Sequence, residues 1–249
     1  SGRTDTAMNE LVNYIFSSLD DDFEFEKKLS QNAISELSLY KHKRKKQSIL
    51  LLKTFNRNDD VFRKLNTVDM HGYLPQMYIV ASDDEALYVL EEYIDGTAAN
   101  EYIGDSDLNQ NDVIRWSVDI CNALEILHNN NIIHRDIKPA NVIVKSDGHA
   151  TLIDLSIATL LSVQKDNDTQ NLGTIGYAAP EQFGLSQSRP ETDIYALGIM
   201  MNIMLTGVHP TIEIPKGKIG KIIKKCTAIS IGDRYKNIEE LKKDLEKIK

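Results

Sequence analysis

The sequence predicts an α+β chain of two lobes, a small β-rich one followed by a larger helical one, on three observations. Up to about Gly96 the apolar residues fall in short runs of strand length. Beyond it they recur at helical spacing. A length of 249 residues with 41% hydrophobic residues is enough to bury a substantial core, as one large domain or as two lobes with a cleft between them.

The elements follow in chain order. Met8 to Leu19 carries an apolar stripe of helical period, read as a leader helix within residues 1–21. It is either regulatory or a packing element, and the stripe favours packing. The first lobe, 22–95, then holds the strand-like runs "FEFEKKL", "SELSLYK", "SILLLKTF", "QMYIVAS" and "ALYVLEEY", with helical patterning only from Asp59 to Met70. The basic run "KHKRKK", Lys41 to Lys46, lies between two of these strands and reads as a solvated hairpin loop. The second lobe, 96–249, opens with a helix from Asn111 to Asn129, apolar at Val113, Ile114, Ile120, Leu124 and Leu127. Two short strands, "NVIV" and "ATLID", follow around the turn "SDGH", and Thr192 to Leu205 and Ile238 to Ile248 are again helical.

Composition narrows the function. A formal net charge of -8 argues against a nucleic-acid binder, whose affinity comes largely from neutralised phosphates. No apolar stretch reaches membrane-spanning length, so no membrane contact is expected. Cys121 and Cys226 lack paired or metal-ligand spacing, which suggests small core residues in a reducing compartment. The expectation is a cytoplasmic protein or the intracellular domain of a longer one.

The stretch "HRDIKPANVIV", 134–144, sets an acid, a lysine and an amide at fixed intervals between the long helix and the two short strands. That placement gathers Asp136, Lys138, Asn141 and Asp154 at one edge of a small hairpin. Two carboxylates, an amide and an ammonium suit a metal-bound polyphosphate. Hard oxygen ligands bind Mg²⁺, a cation offsets charge on a moving phosphoryl group, and a free carboxylate orients a hydroxyl.

On these residues the chain resembles the eukaryotic-type (Hanks-type) Ser/Thr protein kinases, of the bacterial branch, from about Asp22 onward. The resemblance implies a bilobal kinase fold, ATP and Mg²⁺ (or Mn²⁺) as cofactors, and a protein substrate. Residue by residue, it makes Asp136 the catalytic base and Lys138 the loop lysine, with Asn141 and Asp154 as metal ligands. "GTIGYAAPE", Gly173 to Glu181, resembles the end of the family's activation segment. His134, Arg135 and Asp193 take loop-bracing roles, and Glu181 pairs with Arg234. Thr169, in the polar "QKDNDTQN", is the expected activating phosphosite, with Arg135 as partner for its phosphate.

The first lobe departs from the family pattern. Ser30, Asn32 and Ser35 of "LSQNAISEL" stand where the resemblance puts the glycines of the phosphate loop. Lys53 in "LLLK" matches the lysine that contacts the nucleotide phosphates; the alternative is an exposed strand-end lysine. In "EEYIDG", Glu92 and Ile94 would offer backbone hydrogen bonds to adenine, and Glu91 would be the gatekeeper, paired with Lys53 or facing water. No glutamate lies between Lys53 and Asp83, so the usual partner of that lysine falls on Asn58, with Asp59 as substitute or as a helix N-cap. The stretch "TGVHPTIEIPKGKIGKII" is too short for the full helix that many kinases place there. An active Ser/Thr kinase is the favoured reading, and a nucleotide-binding pseudokinase scaffold is the alternative. A small-molecule phosphotransferase is disfavoured by "GTIGYAAPE".

Overall fold

A computed structural model describes residues 2–55, 59–161, 174–183 and 188–248. The chain divides into two compact units, Ser1–Ile94 and Asp95–Lys249. The first holds α1 (Gly2–Asp22), β1 (Phe23–Gln31), β2 (Ser35–His42), β3 (Ser48–Thr54), α2 (Asp59–Leu65), β4 (Met77–Ser82) and β5 (Leu87–Glu92). The second holds β6 (Thr97–Ala98), α3 (Gln110–Asn129), β7 (Ile132–Ile133), β8 (Val142–Val144), β9 (Ala150–Leu152), β10 (Thr159–Leu160), α4 (Pro190–Thr206), α5 (Gly217–Cys226) and α6 (Ile238–Glu246).

The strands of the first unit form one antiparallel sheet in the order β1-β2-β3-β5-β4. Side chains alternate across a strand, so register assigns each to a face. Ile49, Leu51 and Lys53 oppose Glu92, Leu90 and Tyr88 on one face; Leu50, Leu52 and Thr54 oppose Glu91, Val89 and Leu87 on the other. The first of these faces is covered by α1. Val12, Ile15 and Leu19, one stripe at i, i+3, i+7, share a buried cluster with Ile49, Leu51, Ala81, Tyr88 and Leu90. Phe16 adds an edge-on contact with Tyr88, ring centroids 5.4 Å apart. The leader helix is thus a packing element.

α2 stops at Leu65, short of Met70 where the sequence pattern ends. Thr67 Oγ1 donates to the Lys64 carbonyl, and the backbone bonds Thr67 N to Lys64 O and Val68 N to Leu65 O tighten the turn. Side-chain bonding of this kind competes with helix continuation.

In the second unit α3 begins at a capping box between Asn109 and Asp112. Its outer side holds the β8-β9 hairpin: Trp116 Nε1 and Arg115 Nε both donate to the Gly148 carbonyl, at 3.1 and 2.9 Å, and Asp119 accepts from Ala150 N at 2.9 Å. α4 is buried along most of its length and carries Asp193 at its start. Gly198 lets α5 approach, since a Cβ there would meet Cys226 Cβ at 2.5 Å. Among the described residues the stretch after α4 holds turns and then the ten residues of α5, without a longer helix.

Candidate active site

His134 to Asn141 runs from β7 into a single helical turn, Pro139–Asn141, ahead of β8. The turn lets three side chains converge on Asp136. Lys138 Nζ donates to Asp136 Oδ2 at 2.7 Å, and Asn141 Nδ2 donates to the same oxygen at 3.0 Å and to the Asp136 carbonyl at 2.8 Å. The hydroxyl of Thr174 donates to Asp136 Oδ1 at 2.6 Å and accepts from Lys138 Nζ at 2.7 Å. Burial pushes the Asp136 carboxyl up, but these hydrogen bonds and the Lys138 charge hold it below its ordinary value. It is ionised at neutral pH.

The loop is strained and braced. Arg135 has a φ of +73°, a left-handed conformation that a side chain with a Cβ adopts at a cost of about 1–2 kcal/mol. Asp193, fully buried, offsets this by accepting from His134 N at 3.0 Å and Arg135 N at 2.9 Å, while its Oδ2 also meets His128 Nε2 at 2.9 Å. Gln182 Nε2 donates to the Arg135 carbonyl, and the His134 ring reaches the Ile153 carbonyl at 3.2 Å. A second buried centre stands behind. Arg234 donates to both oxygens of Glu181, at 2.7 and 2.9 Å, and to the carbonyls of Ala228 and Glu191. Burial raises the Glu181 carboxyl, but the hydrogen bonds and charge of Arg234, with hydrogen bonds from the backbone and Thr192, together hold it below its ordinary value.

Asp154 is exposed, sits at a φ of +68°, and caps Ser156 N at 3.1 Å. The bond from Ile153 N to the Asn141 carbonyl, 2.8 Å, joins its segment to the loop. Asn141 bonds Asp136 through its amide nitrogen, and its carboxamide oxygen is the atom that would face a cation. Among the described residues no three His, Cys, Asp or Glu side chains form a metal-holding group. One carboxylate and one amide oxygen fit Mg²⁺ arriving with phosphate oxygens and keeping its own waters.

In the first unit the expected nucleotide residues separate. Asn32 Oδ1 accepts from Ile34 N and Ser35 N, both at 2.8 Å, so the turn's amides close on its own side chain. Ser30 is exposed and opposes Leu37. Ser35 opposes Thr54, and Glu91 opposes Leu50, which puts both on the face away from α1. Lys53 stands on the α1 face. Its ammonium lies 5.3 Å from the Phe55 ring centroid and 5.6 Å from that of Tyr88, and strand parity puts it on the opposite face from Ser35 and Glu91. The Glu92 N–H is already bonded to the Gln76 carbonyl at 2.9 Å, and its carboxylate accepts from Gln76 N at 3.1 Å. Ile94 is half-buried at the end of the unit.

The protein kinase domain model matches residues 21–248. The chain belongs to the protein kinase family. This kinase domain is 30% identical over 201 residues to the serine/threonine-protein kinase PrkC of Bacillus subtilis, covering 71% of this chain and 31% of that protein. It is 27% identical over 176 residues to human serine/threonine-protein kinase PAK 4, covering 71% of this chain and 29% of that one. With cAMP-dependent protein kinase type 3 of Saccharomyces cerevisiae it shares 29% identity over 167 residues, 67% of this chain and 41% of the relative. The domain thus spans about a third of the length of the first two.

Two participants escaped the sequence reading. Thr174 was visible only as the threonine of "GTIGYAAPE", and nothing local says that its hydroxyl reaches Asp136. His128, on α3, meets Asp193 across 65 residues of chain. Thr169 and Asn58 lie outside the described residues.

Proposed function

We propose that this kinase domain transfers the γ-phosphoryl group of ATP to serine or threonine hydroxyls of proteins. The observation that carries the reading is the hydroxyl of Thr174 seated between Asp136 and Lys138, at 2.6 and 2.7 Å. The chain's own aliphatic hydroxyl lies between a carboxylate and an ammonium, and this supports the reading. Asp136 orients the incoming hydroxyl and takes its proton, and Lys138 offsets negative charge as it develops. Asn141 and Asp154 would hold Mg²⁺, or Mn²⁺ in its place; the bound metal supplies charge neutralisation at the transferring group. The backbone of Glu92 and Ile94 serves adenine. Thr169 is the proposed regulatory phosphosite, with Arg135 as its partner, and the domain acts in the cytoplasm.

The catalytic and metal assignments rest on chemistry within the second unit, and the choice of serine or threonine on the likeness to the serine/threonine-protein kinases PrkC and PAK 4. Incubation with radiolabelled ATP and a generic protein substrate tests them. Label on serine or threonine of the substrate, lost in Asp136→Asn, is the expected result. Label absent from every protein with Mg²⁺ and Mn²⁺ present would refute the reading.

A further inference from the structure

Two positions expected to serve the nucleotide, Ser35 and Glu91, lie on one face of the sheet, and the residue of β3 between them on that face is Leu52. Lys53 is its neighbour, and one step along a strand reverses the face. The Lys53 face is the one that α1 packs against, through Ile49 and Leu51, four and two residues earlier. Lys53 has a complete set of neighbours there. Its ammonium lies near the Phe55 and Tyr88 rings, Glu36 is its direct cross-strand partner, and its charge helps to keep Asp83 ionised. A cation over two aromatic rings beside an acid forms a stable surface cluster without any ligand. On the opposite face Leu52 is buried and opposes Leu37 and Val89, both apolar. The phosphate turn points the same way, because its Ile34 and Ser35 amides are engaged by Asn32 Oδ1.

We infer that the nucleotide phosphates are held in this chain without a strand lysine: Lys53 fastens the α1 face, and Leu52 occupies the position from which a lysine would act. The inference rests on the kinase reading above for the existence of a nucleotide. It concerns only which residue of β3 meets it.

Calorimetric titration of Mg-ATP into the parent chain, Lys53→Met and Leu52→Lys tests it, with thermal unfolding recorded for each. Lys53→Met should bind Mg-ATP within about threefold of the parent, and Leu52→Lys should bind about tenfold more tightly, the gain ordinary for one charge-assisted contact. A loss beyond threefold in folded Lys53→Met overturns the inference. Should Leu52→Lys fail to fold, Lys53→Met alone decides. If the parent binds no Mg-ATP, the kinase reading fails rather than the lysine assignment, and Leu52→Lys judges the latter: binding gained upholds it, and none overturns it.

Discussion

Asp136 receives hydrogen bonds at both oxygens, from Thr174 at one and from Lys138 and Asn141 at the other, and each donor has its own expected loss. Asp136→Asn keeps the size of the side chain but cannot take a proton. Phosphoryl transfer should fall by about 10²–10⁴-fold while calorimetry finds Mg-ATP affinity nearly unchanged. Equal loss of both would reassign the residue. Thr174→Val removes the hydroxyl from Asp136 and Lys138, whereas Thr174→Ser retains it. The Asp136 carboxyl is held below its ordinary value, so activity should persist down to acid pH and fall only as pH drops through that lowered value. Without the Thr174 donor the carboxyl rises, and the acid limb of the kcat profile should move to higher pH in Thr174→Val but stay in place in Thr174→Ser.

At the scale of elements, two buried acids tie helices to loops. Arg234 is almost fully buried and meets Glu181 through two parallel bonds, so Glu181→Ala leaves a guanidinium uncompensated. Chemical denaturation should show a loss of about 3–5 kcal/mol. Because the Glu181 carboxyl lies below its unfolded value, its contribution is present above the ordinary carboxyl range and is lost as pH falls through the lowered value. Glu181→Gln should therefore flatten the acid side of the stability profile. α1 offers a parallel test in the first unit. Ile15 is fully buried in its cluster with Ile49 and Tyr88, and Ile15→Ala should cost about 2–5 kcal/mol. Urea unfolding that places the mutant with the parent would deny α1 its packing role.

For the whole molecule, metal and nucleotide should bind together. Asp154→Ala removes one of the two proposed oxygen ligands, and the dependence of ATP affinity on Mg²⁺ should disappear with it. Equal thermal shifts of the parent chain with ATP alone and with ATP plus Mg²⁺ would argue against Asn141 and Asp154 as ligands. Described residues contain no helix long and apolar enough to cross a membrane.

Much of this was legible before folding. The change from period 2 to period 3.6 near Gly96 separates the two units, because side-chain periodicity is a local property of each backbone conformation. "HRDIKPANVIV" likewise placed Asp136, Lys138 and Asn141 together, since a single turn and a strand end bring residues two and five apart into contact. Contacts over long separations were legible only through the resemblance, as for Asp193 with the loop and Glu181 with Arg234. Thr174 reaches Asp136 across 38 residues, a distance over which no pattern of neighbours specifies a partner. The face of Lys53 belongs to the same class. "LLLK" is apolar on both sides, so the sequence alone determined that β3 is a buried strand but left its parity open; the pairing with β5 and the packing of α1 on Ile49 and Leu51 decided it, because in a strand one residue of register exchanges the two faces.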